Sequence, residues 1–331
     1  MARRLICVRA GFMVGFMAGL LALLGALGPA RADYPERPVT IVVGFPPGGP
    51  SDTLARIVAR KLGELLGQPF VVDNRPGAGG NVAGEVVAHA EPDGYTLLMG
   101  NNSILATNAS LYAKIGFDPE KDFDPISLIG SQANILVVNP NVHADTMQQL
   151  IELAKANPGK LNFASSGFGA AAHLSGELFK TMAHIDIVHV PYKGAGPALQ
   201  DVISGQDQMM FATASSVLGM IKTGQVRALA VTTLKRTAIL PDIPTMDELG
   251  LKGFEATTWH GLVAPEGTPK DIIATLHRAV IAALDDAEVR RQLTALGVDI
   301  QGDTPEEFSA YIKAEIPKWA AVIKASGANA Q

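Results

Sequence analysis

Two short segments of the sequence carry the residue types that anion recognition needs. In Phe45-Pro-Pro-Gly-Gly-Pro-Ser-Asp52, Gly48 and Gly49 let the backbone come close to a ligand. The free amides of the helix start that follows would point at negative charge. Ser51 is placed to cap that helix, and Asp52 to favour its positive end. A second segment, Ala164-Ser-Ser-Gly-Phe-Gly-Ala-Ala-Ala-His173, repeats the arrangement with Ser165, Ser166, Gly167, Gly169 and Ala170 ahead of another helical stretch. Either segment alone also reads as an ordinary strand-to-helix turn. Two such cradles in separate halves of the chain could close on one anion, and the pairing is worth more than either loop. Asn101, Asn102 and Ser103 follow a third strand-like run and either face the same cleft or decorate the surface.

Other chemistries fit less well. Covalent catalysis needs a nucleophile with a base beside it. Ser165, Ser166 and His173 invite that reading, but their spacing is not that of a triad and no Gly-x-Ser-x-Gly elbow is present. His173 fits a helix-surface or core residue, and His184 and His189 form no metal-ligand cluster with it by spacing. Gly167-x-Gly169-x-x-Ala172 formally matches the dinucleotide fingerprint, with Asp186 about 20 residues further on. Asp186, however, precedes its strand instead of ending it. Gly77-Ala-Gly-Gly-Asn81 resembles a phosphate loop without the Gly-Lys-Ser/Thr that should follow, and reads as a turn into the helix of Val82, Val86 and Val87. The expectation is a binding protein without cofactor or metal, not an enzyme.

These loops need a framework. The chain has 331 residues, enough for two domains, and with 47% hydrophobic and 18% charged residues it can build a sizeable core. Arg3, Arg4 and Arg9, an apolar run over residues 10–27, and Ala30-Arg31-Ala32 read as a secretory signal peptide cleaved near Ala32. A membrane anchor is the alternative, but the run is short and ends in a cleavage pattern. Cleavage leaves 23 basic against 32 acidic residues, a formal charge of −9 in place of −5. The sole cysteine, Cys7, departs with the leader, which excludes disulfides and thiolate sites in the mature chain. No basic cluster suggests nucleic acid, so a soluble, acidic, exported product is expected.

Strand-like and helix-like segments then alternate. Residues 39–45, 70–72 and 95–99 read as strands, and a helix with Leu54, Ile57, Val58 and Leu62 at helical spacing stops at Gly67. In the second half residues 134–138, 161–164, 187–190 and 226–232 read as strands. Thr146 and Gln149 suggest a capping box, Pro197 opens a helix that Gly205 closes, and the stretch from Lys270 is mostly helical. This order predicts mainly parallel sheets flanked by helices, with the loops after each strand along one edge. No Gly/Ser-rich linker separates the halves, so the domains are expected to share the chain through crossing strands at residues 134–139 and 257–264.

Several phrases now line up: Tyr34-Pro-Glu-Arg-Pro, Phe45-Pro-Pro-Gly-Gly, Val72-Asp-Asn-Arg-Pro-Gly-Ala-Gly-Gly-Asn81, Pro92-Asp-Gly-Tyr-Thr-Leu-Leu98, Val190-Pro-Tyr-Lys-Gly194 and Arg227-Ala-Leu-Ala-Val-Thr232. Together they closely resemble the substrate-binding receptors of tripartite tricarboxylate transporters, the Bug receptor family, from Tyr34 to the C-terminus. The resemblance implies an α/β fold of two doubly wound domains joined by two crossing strands, the type II periplasmic-binding-protein or Venus-flytrap architecture. Residues 33–136 with 257–331 would form one domain and 137–256 the other. It implies a monomer in the periplasm that holds a small organic carboxylate in the cleft and delivers it to integral-membrane transporter subunits, with no nucleic-acid partner. An exported enzyme acting on carboxylates, or a sensor signalling to a membrane partner, are the alternatives. The family's binding loops carry over to Phe45, Gly49, Ser51 and Asp52 on one side, and to Ser165, Ser166, Gly169 and Ala170 on the other, with His173 and Tyr192 added. Gly48, Gly167, Asn101 and Ser103 join them, as do Ala212 and Thr213 at a strand end. Many relatives have Phe-Asp where this chain has Phe211-Ala212. Without that acid to meet an ammonium, a carboxylate lacking an amino group is the expected ligand.

Overall fold

The computed structural model describes residues 34–327. The expected leader, residues 1–32, and its cleavage point lie outside them. The described residues from Arg37 onward form one unit, built on a ten-stranded sheet. Its first section starts with the β-branched run Val39–Val43 (β1), buried on both faces as a central parallel strand requires. Phe70–Asn74 (β2) and Thr96–Asn101 (β3) pair with it in parallel, one on each side. Asn162–Ser165 (β5), Val188–Pro191 (β6) and Met209–Thr213 (β7) form a second parallel group.

Between the two groups the sheet is antiparallel, where the alternation of segments had predicted mainly parallel pairing. Phe123–Val138 (β4) is one strand serving both sections. Its residues 123–133 pair with Thr257–Pro265 (β9), and residues 134–138 pair with β7 and with Arg227–Val231 (β8). The change of partner falls between Ala133 and Asn134. The return falls beside it, because Thr257 lies opposite Ala133 while the Ala256 amide donates to the Thr232 carbonyl. Fully buried Asn134 marks this point. Its amide reaches the Ala256 carbonyl at 3.1 Å, and its Oδ1 accepts from Thr258 at 2.8 Å and Thr213 at 3.3 Å. The early part of β4 hides in the sequence because Pro125 and Gly130 sit at register shifts. Val298–Ile300 (β10) adds a short strand on β4 within the stretch expected to be helical.

The helices are Pro50–Leu66 (α1), Asn81–Ala88 (α2), Asn108–Leu111 (α3), Met147–Ala156 (α4), Ala171–Ala183 (α5), Ala195–Ser204 (α6), Ala214–Lys222 (α7), Lys270–Asp285 (α8), Ala287–Ala295 (α9) and Pro305–Ser326 (α10). Gly67 and Gly205 end α1 and α6 in the left-handed region, as their positions in the sequence suggested. The capping box at α4 is half present. Thr146 Oγ1 accepts from the Gln149 amide, but Gln149 Oε1 reaches the amide of Asp145, not that of Thr146. The core is continuous across β4. Phe163, Phe179 and Phe211 belong to the same buried cluster as Trp259, Phe308 and Trp319. Both indoles, of Trp259 and Trp319, donate to buried Glu315, fixing α10 on the sheet.

Candidate functional site

The connections that leave β1, β3, β5, β6 and β7 line one cavity of about 350 Å³. Four helices begin on its wall: α1 after Gly49, α5 after Ala170, α6 after Gly194 and α7 after Thr213. None of the four has a side-chain cap. The first amides of a helix have no intrahelical acceptor and carry its positive dipole end. Each start therefore offers donors to the cavity, less those missing at Pro50 and Pro197. The turns of the two sections meet at the rim, since a Cβ on Gly194 would lie 3.3 Å from Pro46.

Of the residues expected from sequence, Phe45, Gly48, Gly49, Ser51, Asn101, Ser103, Ser166, Ala170 and Thr213 line this cavity. Both loops singled out from the sequence thus face one space, but several of their side chains are used otherwise. Ser51 does not cap α1, whose N-cap is Gly49; its Oγ lies 2.8 Å from His260 Nε2. Asp52 turns away from the cavity. Its carboxylate accepts from the Gly48 amide at 2.8 Å, from Arg56 at 3.0 Å and from Asn74 at 3.0 Å. Burial alone would raise this carboxyl, but these bonds outweigh it and hold the group below its ordinary value. Asp52 pins the left-handed turn at Gly48 and keeps its own charge out of the cavity.

The second loop is similar. Ser165, Gly167, Gly169, His173, Tyr192 and Ala212 do not line the cavity. Ser165 Oγ pairs with His189 Nε2 at 2.6 Å. The Gly169 carbonyl accepts from Ser103 Oγ at 3.1 Å and Thr107 Oγ1 at 2.9 Å, while its amide donates to His173 Nδ1 at 3.2 Å. A Cβ at Gly169, where φ is +75°, would collide with Asn108 Oδ1, so only glycine lets the loop close against α3. His173 is buried and stacked on His189, with 4.0 Å between centroids, behind the loop it supports. Burial, with the nearby Lys180 charge, lowers its pKa to about 4, and it is neutral at pH 7. The Tyr192 hydroxyl contacts Asp201 and Asp207, each at 2.7 Å; burial and these two carboxyls push its pKa up. Ala212 is fully buried in β7 and off the cavity wall, so its lack of an acid does not bear on whether the ligand carries an amino group.

The sequence reading overlooked several wall residues. Lys193 sits within a phrase already singled out, and Lys-Gly-Ala-Gly-Pro has the same glycine-then-helix punctuation as the two recognised loops. Thr258 and His260 lie on β9 and arrive only because that strand pairs with β3 and β4, His260 opposite Asn101 and Thr258 opposite Gln132; no local signal marks them. Leu199, Met210 and Met220 give the wall an apolar part.

The wall holds no aspartate or glutamate, and its sole charged side chain among the described residues is the exposed Lys193. His260 is completely buried, which lowers its pKa to about 4 and leaves it neutral. Ser51 and neutral His260 hold two protons between them. Their mutual bond uses one, so the other stays on Ser51 Oγ or His260 Nδ1 for another acceptor. Most other hydroxyls on the wall have already donated: Ser103 to Gly169, Thr258 to Asn134, Ser215 to Gln132 and Ser216 to the Thr213 carbonyl. Donors for an anion therefore come from the helix starts, from Ser166, whose hydroxyl has no partner among the described residues, and from the Ser51–His260 pair.

The chain is similar to proteins already known. Residues 54–328 match the family model described as tripartite tricarboxylate transporter family receptor. BugT of Bordetella pertussis is 39% identical over 311 residues, covering 93% of this chain and 95% of its own. The solved structure of R. palustris Rpa4515 with adipate superposes with a TM-score of 0.86 at 39% identity, covering 89% of this chain and 99% of that one. MatC from Rhodopseudomonas palustris with bound malate gives 0.83 at 35% identity, covering 88% and 100%. With its type II periplasmic-binding-protein fold, the chain belongs to the tripartite tricarboxylate transporter receptor family.

Proposed function

We propose that this protein is a periplasmic solute receptor that captures a small organic carboxylate in the cavity and delivers it to integral-membrane transporter subunits, without altering it. The observation that carries the reading is the convergence of four uncapped helix starts on one cavity that contains no acid and has a lysine on its wall. A buried carboxylate needs donors aimed at it, and helix starts provide them in fixed positions. The formal charge of −9 expected after cleavage near Ala32 repels anions over long range, so the local dipoles must do the attracting. Carboxylates are the bound species in the Rpa4515 and MatC structures, adipate in one and malate in the other. The cavity falls within the size range of small-molecule sites, roughly 300–1,000 Å³.

In this reading residues 33–136 with 257–331 and residues 137–256 act as two lobes of a monomer. Closure about the paired crossing beside Asn134 buries the anion, and the closed form is what the transporter recognises. The Ser51–His260 pair has the spacing of a nucleophile and a base, which is the specific observation in favour of an enzyme. Its Nδ1 meets no orienting group among the described residues, whereas a catalytic base is usually held by a third residue. Incubating the purified protein with a carboxylate panel separates the readings. A receptor gains about 2.7 kcal/mol of stability at a ligand concentration a hundred times Kd, and mass spectrometry recovers the acid unchanged. Consumption of an acid, or a panel with no stabilising member, would overturn the proposal.

A further inference from the structure

The helix starts account for a carboxylate, but one side chain on the wall leaves both of its polar atoms unmatched. Asn102 is 1% exposed, and neither its Oδ1 nor its Nδ2 has a hydrogen-bond partner among the described residues. Buried amides are rarely left unpaired, because each unmade bond forfeits the desolvation of a polar group. The neighbouring hydroxyls do not serve it: Ser103 is committed to Gly169, and Thr258 to Asn134. A primary amide presents a donor and an acceptor side by side. A carboxylate alone could take the proton of Nδ2 but would set its own lone pairs against Oδ1. A group that both accepts and donates next to the carboxylate satisfies the pair. An ammonium would donate to Oδ1, but it brings a charge that no acid on the wall matches, Asp52 being tied to Gly48, Arg56 and Asn74. A hydroxyl donates and accepts without that charge.

We propose that Asn102 is the specificity-determining residue of the site and that the ligand is a 2-hydroxy carboxylate, its hydroxyl donating to Asn102 Oδ1 and its carboxylate held by the helix starts. This rests on the carboxylate-receptor reading above. The pairing of Asn101 with His260 across β3 and β9 brings the spare proton of the Ser51–His260 pair to the same part of the wall, as a further donor to that carboxylate.

Calorimetric titration with matched skeletons tests it: malate, succinate and aspartate as one set, and 2-hydroxyadipate, adipate and 2-aminoadipate as the other. The expected result is that in the skeleton that binds, the hydroxy acid binds at least about tenfold tighter than both the plain acid and the amino acid. In Asn102→Leu the ratio of hydroxy to plain acid falls to near one. In Asn102→Asp the preference moves towards the amino acid, whose ammonium then meets a charge. A wild-type protein that binds the plain acid as tightly as the hydroxy acid overturns the assignment while the receptor reading stands. If no acid in either set or in the wider panel binds, the receptor reading itself fails. Thermal unfolding of each unliganded variant shows whether it is folded, and the wild-type ratios decide the question without any variant.

Discussion

Every helix start on the cavity wall lacks a side-chain cap, whereas half of those elsewhere carry one. Away from the cavity, Thr146 caps α4, Asp286 accepts from two amides at the start of α9, and Thr304 forms a complete capping box with Glu307 on α10. At the cavity α1, α5, α6 and α7 begin at Gly49, Ala170, Gly194 and Thr213 with no side-chain cap. Three helices outside the cavity, α2, α3 and α8, also lack a cap, but no side-chain cap occurs on the wall. A cap contributes about 1 kcal/mol by occupying an amide. On the receptor reading proposed above, the wall gives up that stability and keeps its donors for a guest.

The largest effect is expected where the two sections touch. Gly169→Val meets both the positive φ and the Asn108 side chain, so the loop must shift and carry the α5 start with it. Affinity should fall by more than about 100-fold, with roughly 1–3 kcal/mol lost in urea denaturation. Normal binding by this variant would detach the second loop from the site. The next test reverses the sign of the comparison. Gly49 has an extended backbone (φ −78°) with room for a side chain. Gly49→Asp should therefore raise stability without ligand by a few tenths of a kcal/mol and weaken binding about 10- to 100-fold, since the new carboxylate takes the ligand's place. Thr146→Ala should do the opposite, costing about 1 kcal/mol with affinity unchanged. Affinity changes of equal size in both variants would erase the distinction.

What the sequence made legible divides along similar lines. The Gly48-Gly49 and Gly167–Gly169 turns and the stops at Gly67 and Gly205 are announced by local punctuation, and the fold delivers both loops to one cavity. Asp52 and Tyr192 look equally functional by type, but their partners Arg56, Asn74, Asp201 and Asp207 decide their use, and those partners are set by packing. His260 and Thr258 depend on the pairing of β9 with β3 and β4, contacts between distant parts of the chain that no local pattern encodes. The first part of β4 escaped notice because its bulges break the alternation that marks a strand.

A smaller effect should appear in the pH dependence. His260 and His173 each fall to about 4 when folded, against an ordinary value near 6.5. Between those values the unfolded chain holds protons that the native state does not. The contribution of these two histidines is then full above about pH 6.5, falls as pH drops towards 4 and levels off below, by up to about 1.4 kcal/mol per unit for each. His260→Asn should remove one histidine's share of the slope between pH 6.5 and 5 in urea denaturation; an unchanged slope would show that His260 is charged in the native state. The smallest change is expected from Lys193→Gln. The exposed ammonium is screened, so affinity should drop only about threefold at low salt and converge with wild type as salt rises. A loss of 100-fold would move the main attraction from the helix starts to this lysine.

Amide NMR during titration with the acid that stabilises the protein most tests the central claim directly. The amides of Ser51, Ala171, Ala172, Ala195, Gly196 and Ser215 should shift downfield together and saturate at one ligand equivalent, as donors to an oxyanion do. The amides of Gln149, Glu288 and Glu307, already satisfied by caps, should stay in place. Saturable binding that leaves the wall amides unmoved, or shifts those of only one section, would contradict the convergence of helix starts on a single carboxylate.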